Sequence, residues 1–169
     1  MASLSGSGRG IRLEGIARAV DAMIHRGASI EKVGAQTSRT LDVARRNTAC
    51  DWTRDGRRIE CKSAKLCWQQ RWLRWTFSFY NIKLSRDGDR LGSFDELQLV
   101  LYTPRGIFIY LHDLRLGLTS KGKSTLPLGY IIQLYGPVRE HCWSLALDVM
   151  LAKLDRSGCR RLAFVPWNA

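Results

Sequence analysis

Thirteen consecutive residues, Cys50-Asp51-Trp52-Thr53-Arg54-Asp55-Gly56-Arg57-Arg58-Ile59-Glu60-Cys61-Lys62, hold two carboxylates and an ammonium in an arrangement that can do chemistry. Asp-Gly between alternating residues signals a two-residue type I′ hairpin turn. With Asp55 and Gly56 as the loop, Arg54 faces Arg57, Thr53 faces Arg58, Trp52 faces Ile59, Asp51 faces Glu60 and Cys50 faces Cys61. Paired residues share a face of the ribbon, and faces alternate along it. One face is then Cys50, Trp52, Ile59 and Cys61, which suits a core, and the other carries Asp51, Thr53, Arg58, Glu60 and Lys62. Directly opposed carboxylates repel, and a cation between them resolves the conflict. Ligands that are all oxygen favour a hard divalent ion, magnesium or manganese, over zinc. Lys62, on the same face, is placed to orient a water and to stabilise charge on a phosphate. A solvated hairpin in which Lys62 and Arg58 neutralise the carboxylates is the competing reading, and the residues alone leave both open.

Helical periodicity precedes the hairpin over residues 11–26, with Leu13, Ile16, Ala19, Val20, Met23 and Ile24 on one face and Gly27 as the closing residue. Residues 28–47 are polar, with a short strand expected at 30–33. Strands are expected at 49–54, 57–66, 72–84, 97–102, 106–112, 130–135 and 161–165, divided by Gly, Pro and Asp-Gly breakers. A second helix is expected over 139–157, with Trp143, Leu147, Met150, Leu151 and Leu154 as its stripe and Gly158 closing it. This order predicts an α/β or α+β domain, a mixed sheet with helices on its faces, over residues 11–169. Residues 1–10 read as a flexible lead-in without a secretory h-region.

Asp51 followed by Glu60-Cys61-Lys62 on the next strand resembles the motif of the PD-(D/E)XK nuclease superfamily, which includes many restriction endonucleases and Holliday-junction resolvases. In that family the motif lies on a β-hairpin after a helix that often bears a glutamate, and here the first helix supplies Glu14. The similarity runs over about residues 10–112 as a succession of elements. It implies a restriction-endonuclease-like mixed β-sheet flanked by helices. It also implies Mg2+ or Mn2+ held by Asp51, Glu60, the Cys61 carbonyl and Glu14, with Lys62 positioning the attacking water. Asp51, Glu60 and Lys62 would then be the catalytic residues of a metal-dependent DNA endonuclease. Cys50 stands where the family often has proline, and the tight turn makes the Asp51–Glu60 separation short. Related enzymes often dimerise to cut two strands, so a homodimer is compatible with the resemblance.

Charge points the same way. Among 169 residues, 27 are Lys or Arg against 15 Asp or Glu, a formal net charge of +12. Arginine, which supplies 20 of the cations, matches phosphate oxygens two at a time. Such a surplus favours a polyanion, which the resemblance implies is DNA, duplex or branched. Arg58, Lys65, Gln70, Arg71, Arg74 and Lys83 are the candidate nucleic-acid contacts. In the segment Trp68-Gln69-Gln70-Arg71-Trp72-Leu73-Arg74-Trp75, aromatics alternate with cations as in base-stacking proteins. Trp75, Phe77 and Phe79 alternate at period two and are expected in the core.

The five cysteines include no C-x-x-C pair, so reduced thiols in an intracellular protein are expected, with Cys50 and Cys61 as cross-strand neighbours. No apolar run is long enough to span a membrane. The Ser120–Ser124 loop lacks P-loop spacing, and His112-Asp113 reads as a loop pair. The sequence reading is therefore a single-domain metal-dependent DNA endonuclease. A non-catalytic nucleic-acid-binding domain of the same fold is the alternative. A protein-interaction module is a third class, which leaves the opposed carboxylates unexplained.

Overall fold

A computed structural model describes residues 6–33, 50–82, 94–112 and 130–167. Lys83, Asp113 and the Ser120–Ser124 loop lie outside them. The described elements are α1 (Gly6–Ile24), β1 (Ile30–Lys32), β2 (Trp52–Arg54), β3 (Arg57–Lys65), β4 (Cys67–Gln69), a single 3-10 turn (Gln70–Trp72), β5 (Arg74–Ile82), β6 (Glu96–Thr103), β7 (Gly106–His112), β8 (Tyr130–Tyr135), α2 (Trp143–Arg156) and β9 (Arg160–Pro166). A six-stranded mixed sheet runs in the order β1-β2-β3-β6-β7-β9, and a three-stranded sheet in the order β4-β5-β8. The protein is thus a mixed α/β fold. Among the described strands only β3 and β6 pair in parallel, and the chain between them passes through β4 and β5 of the second sheet. No described helix is long and apolar enough to cross a membrane.

Period-two alternation on the central strands sends apolar side chains to both faces of the large sheet. On one face Ile59, Cys61, Val100, Ile107 and Ile109 pack with Trp52 against Leu13 and Ala17 of α1. On the other, Leu97, Leu99, Leu101, Phe108 and Tyr110 meet Phe77, Phe79 and Ile82 of β5 and Leu147, Met150, Leu151 and Leu154 of α2. Three layers result. Phe77 and Phe79 are fully buried, as their alternation predicted, whereas Trp75 is half-buried.

The Asp55-Gly56 turn forms as expected, with φ of 47° and 78°, the left-handed pair that a type I′ turn requires. Asp55 fastens this tip to the segment ahead of β1. Its Oδ1 accepts from Ser29 N at 2.9 Å, and its own N–H donates to Ser29 O at 2.9 Å. At the β6–β7 turn, Gly106 has φ +146°, and a Cβ there would lie 2.3 Å from Val165 O, so only glycine lets β9 close on the sheet.

Two helix expectations need correction. Helix α1 starts at Gly6, inside the expected lead-in, and its buried line is Leu13, Ala17 and Asp21. Met23 and Ile24 are exposed instead, because the sheet receives the Asp21 carboxylate rather than an apolar stripe. Helix α2 starts at Trp143, four residues later than expected, since Arg139 adopts φ +62° ahead of it. Gly27 and Gly158 do end their helices at positive φ.

Candidate active site

The hairpin register holds for Trp52↔Ile59, Thr53↔Arg58 and Arg54↔Arg57, and there the ladder ends. Asp51 N donates to Ile59 O at 2.9 Å, one residue out of that register. Its carboxylate Oδ2 accepts from Cys61 N at 2.7 Å, taking a ladder hydrogen bond with a side chain. Two expectations fall with this slip. Asp51 and Glu60 are not a directly opposed cross-strand pair, and Cys50 is not beside Cys61. Cys50 packs in the cluster on the α2 side of the sheet and Cys61 in the cluster on the α1 side. All five cysteines are free thiols.

The expected site residues nonetheless converge at the open end of the hairpin. Glu60, 7% exposed, and Lys62 share the face of β3 opposite Ile59 and Cys61, and their side chains form an ion pair. In an antiparallel pair the N–H and C=O of one residue project to the same side. The Cys61 carbonyl therefore opens toward the edge where Asp51 caps the Cys61 N–H. Glu14, on α1, is half-buried at the rim, with Lys32 Nζ 3.7 Å and Arg18 Nη1 4.0 Å from its Oε1.

The electrostatics show negative charge crowded at this edge. Burial, and then the charge of Asp51, push the Glu14 carboxyl above its usual range, with Lys32 and Arg18 opposing. Burial also raises Asp51, against the hydrogen bond from Cys61 and the charges of Lys62 and Lys32. The Cys61 thiol is driven well above its ordinary value by burial and then by Asp51, Glu14 and Glu60. Cys61 therefore offers the site its backbone and not a thiolate. Among the described residues, no three His, Cys, Asp or Glu side chains are gathered into a metal-holding group. Magnesium needs only one or two carboxylates, completing its shell with water and substrate phosphate. Asp51, whose Oδ1 has no hydrogen-bond partner among the described residues, and Glu60 supply hard oxygen of that kind.

The expected nucleic-acid contacts divide. Arg58 forks onto Asp95, with Nη2 3.0 Å from Oδ1 and Nε 3.3 Å from Oδ2, which lifts Arg58 and lowers Asp95. Its charge is engaged within the fold. Lys65, at the end of β3, is exposed, and so are Gln70 and Arg71; Arg74 is half-buried.

Sequence reasoning missed a second polar cluster on the α1 side of the hairpin. Asp21, 1% exposed, accepts from Trp52 Nε1 at 2.9 Å, Arg54 Nη1 at 2.6 Å and Gln98 Nε2 at 3.2 Å. Arg54 reaches on to Glu96 at 2.6 Å, which also binds Arg57 at 3.0 Å. The signal was present, since Asp21 continues the i, i+4 line of Leu13 and Ala17. A charge on the apolar face of a helix calls for a buried partner. Compared with known proteins, the chain matches no family model, no curated protein and no solved structure.

Proposed function

We propose that the protein is a metal-dependent endonuclease that hydrolyses DNA phosphodiester bonds at the open end of the β2–β3 hairpin. The observation that carries this reading is the gathering of Asp51, Glu60, the Cys61 backbone and Lys62 at one sheet edge. The carboxyls of Asp51 and Glu14 there are both raised, by burial first and, at Glu14, then by the charge of Asp51, which suits a site that takes up a cation. A mixed sheet with α1 packed behind the hairpin agrees with the restriction-endonuclease-like arrangement that the PD-(D/E)XK resemblance implies.

In this reading Asp51 and Glu60 hold Mg2+ or Mn2+ with the Cys61 carbonyl, and Glu14 stands at the rim on Lys32. The ion would supply charge neutralisation at the scissile phosphate, the main requirement of phosphoryl transfer. Lys62, partnered by Glu60 across one turn of pleat, would hold the attacking water and face the developing charge. The Cys61 amide fixes Asp51 in orientation, so the carboxylate is positioned before any ligand arrives.

Incubation of labelled duplex, branched and single-stranded DNA with magnesium, manganese, calcium or chelator tests the reading. Cleavage is expected with magnesium or manganese, little or none with calcium, and none in chelator. Lys62→Ala should abolish cutting and leave DNA affinity nearly unchanged, because the broad basic surface remains. Undiminished cleavage in chelator, or by Lys62→Ala, would sink the mechanism. Binding without cleavage under every condition would leave the non-catalytic nucleic-acid-binding domain.

A further inference from the structure

Some of the described arginines are held by carboxylates and others are not. Arg18, Arg54, Arg57, Arg58 and Arg105 are each paired with a carboxylate. Arg71, Arg74 and Arg139 have no carboxylate partner among the described residues, and all three surround the turn that joins β4 to β5. Two of them lie on aromatic rings. The Arg71 guanidinium is 5.0 Å from the centre of the Trp72 ring, and that of Arg74 is 5.9 Å from the same ring and 4.1 Å from Tyr135.

The turn is fixed in shape. Leu73 takes the left-handed conformation, its N–H donates to Gln70 O at 3.3 Å, and its carbonyl accepts from Arg139 N at 2.6 Å. Trp68 is braced on the Trp75 ring at 5.6 Å and on His141 at 4.6 Å, and its Nε1 donates to Gln70 Oε1 at 2.9 Å. Trp72 is different. It is 52% exposed, a large planar surface presented to solvent with two cations within 6 Å of its centre.

We propose that this turn is a stacking platform for unpaired bases, so that the substrate is a single-stranded or branched nucleic acid rather than uninterrupted duplex. The proposal rests on the nuclease reading above and names its substrate class. A flat exposed indole gives an unpaired base a face to stack on, while Arg71, Arg74 and Arg139 take the flanking phosphates. Bases inside a duplex are already stacked on one another and offer no such face. Eight residue steps separate Lys62 from Gln70, so their Cα atoms lie at most about 29 Å apart. One strand can span both.

Fluorescence anisotropy in chelator, where no cutting occurs, tests this with labelled oligo(dT), oligo(U) and a blunt DNA duplex of equal length. Trp72→Ala should weaken oligo(dT) or oligo(U) binding by about five-fold to a hundred-fold. Duplex binding should change by less than two-fold, and Trp72→Phe should restore most of the loss. The two single strands tell DNA from RNA. With wild type, single-strand binding should also quench tryptophan emission, and Trp72→Phe should bind while losing part of that quench. Single-strand affinity that survives Trp72→Ala, or equal loss on single strand and duplex, overturns the platform. Binding without cleavage in magnesium overturns the nuclease reading alone, so the two failures are distinguishable.

Discussion

Asp21, on α1, and Asp51, just before β2, both bring a carboxylate out of water against the same hairpin. Around Asp21 the fold gathers an indole N–H, a guanidinium and a carboxamide, and His25 Nδ1 adds a fourth approach at 3.3 Å. Around Asp51 it supplies one backbone amide, with Glu14 close enough to feel its charge. The first is a buried charge with partners in place, and such a group holds parts of a fold in register. The second is raised by burial and has only one amide and the nearby charges of Lys62 and Lys32 to oppose that, a sparser set of partners that natural folds tolerate chiefly where function needs it. Partner supply, more than burial, therefore separates the structural carboxylate from the functional one.

The largest expected effect lies on the structural side. Asp21→Ala leaves Arg54 buried with only Glu96 and deprives Trp52 Nε1 of its acceptor, so it should destabilise by about 3–5 kcal/mol. Urea denaturation measures it; a loss under about 1 kcal/mol, the usual size of an exposed pair, would make Asp21 an ordinary surface group and remove one side of the contrast.

A smaller effect marks the functional side. Magnesium at a hundred times its dissociation constant should stabilise wild type by about 2.7 kcal/mol and Asp51→Asn by much less. Because a ligating carboxylate must be ionised and burial raises Asp51, the affinity should fade on the acid side at a higher pH than an unshifted aspartate would give. Thermal melts with and without magnesium from pH 4 to pH 8 follow both. An equal shift in the two proteins would place the ion elsewhere.

Local chemistry made much of this legible in advance. Asp55-Gly56 specified its turn, and the turn set three ladder pairs; strands β7 and β8 took their expected bounds from alternation and breakers. Glu60 and Lys62 were legible as same-face neighbours because two residues on a strand always are. The Asp51 slip was not. An aspartate side chain competes with the backbone for a neighbouring N–H, and the winner depends on contacts far along the chain. Here Val33 N, just past β1, holds the Asp51 carbonyl at 3.1 Å, and the sequence only suggested that strand. The Arg58–Asp95 fork was hidden for the same reason, since 37 residues separate its partners.

The smallest effect probes Asp51 without any metal. Asn keeps an acceptor for the Cys61 N–H and removes the charge, so Asp51→Asn in chelator should lie within about 0.5 kcal/mol of wild type at neutral pH, or above it. The sign with pH follows from the raised folded-state carboxyl. A group whose pKa is higher folded than unfolded contributes stability below its unfolded value, and that contribution is lost as pH rises through the folded one. Wild type should therefore lose ground to Asp51→Asn as pH climbs through about 4, where a free aspartate is half ionised. Asp95 and Asp148 are lowered by Arg58 and Arg105 and drift the opposite way, but both proteins carry them, so they cancel in the difference. Paired urea titrations across that range report Asp51 together with its effect on Glu14, which has the same sign. Should wild type instead gain on the variant as pH rises, Asp51 would be a paired structural carboxylate like Asp21, and the distinction between the two regions would collapse.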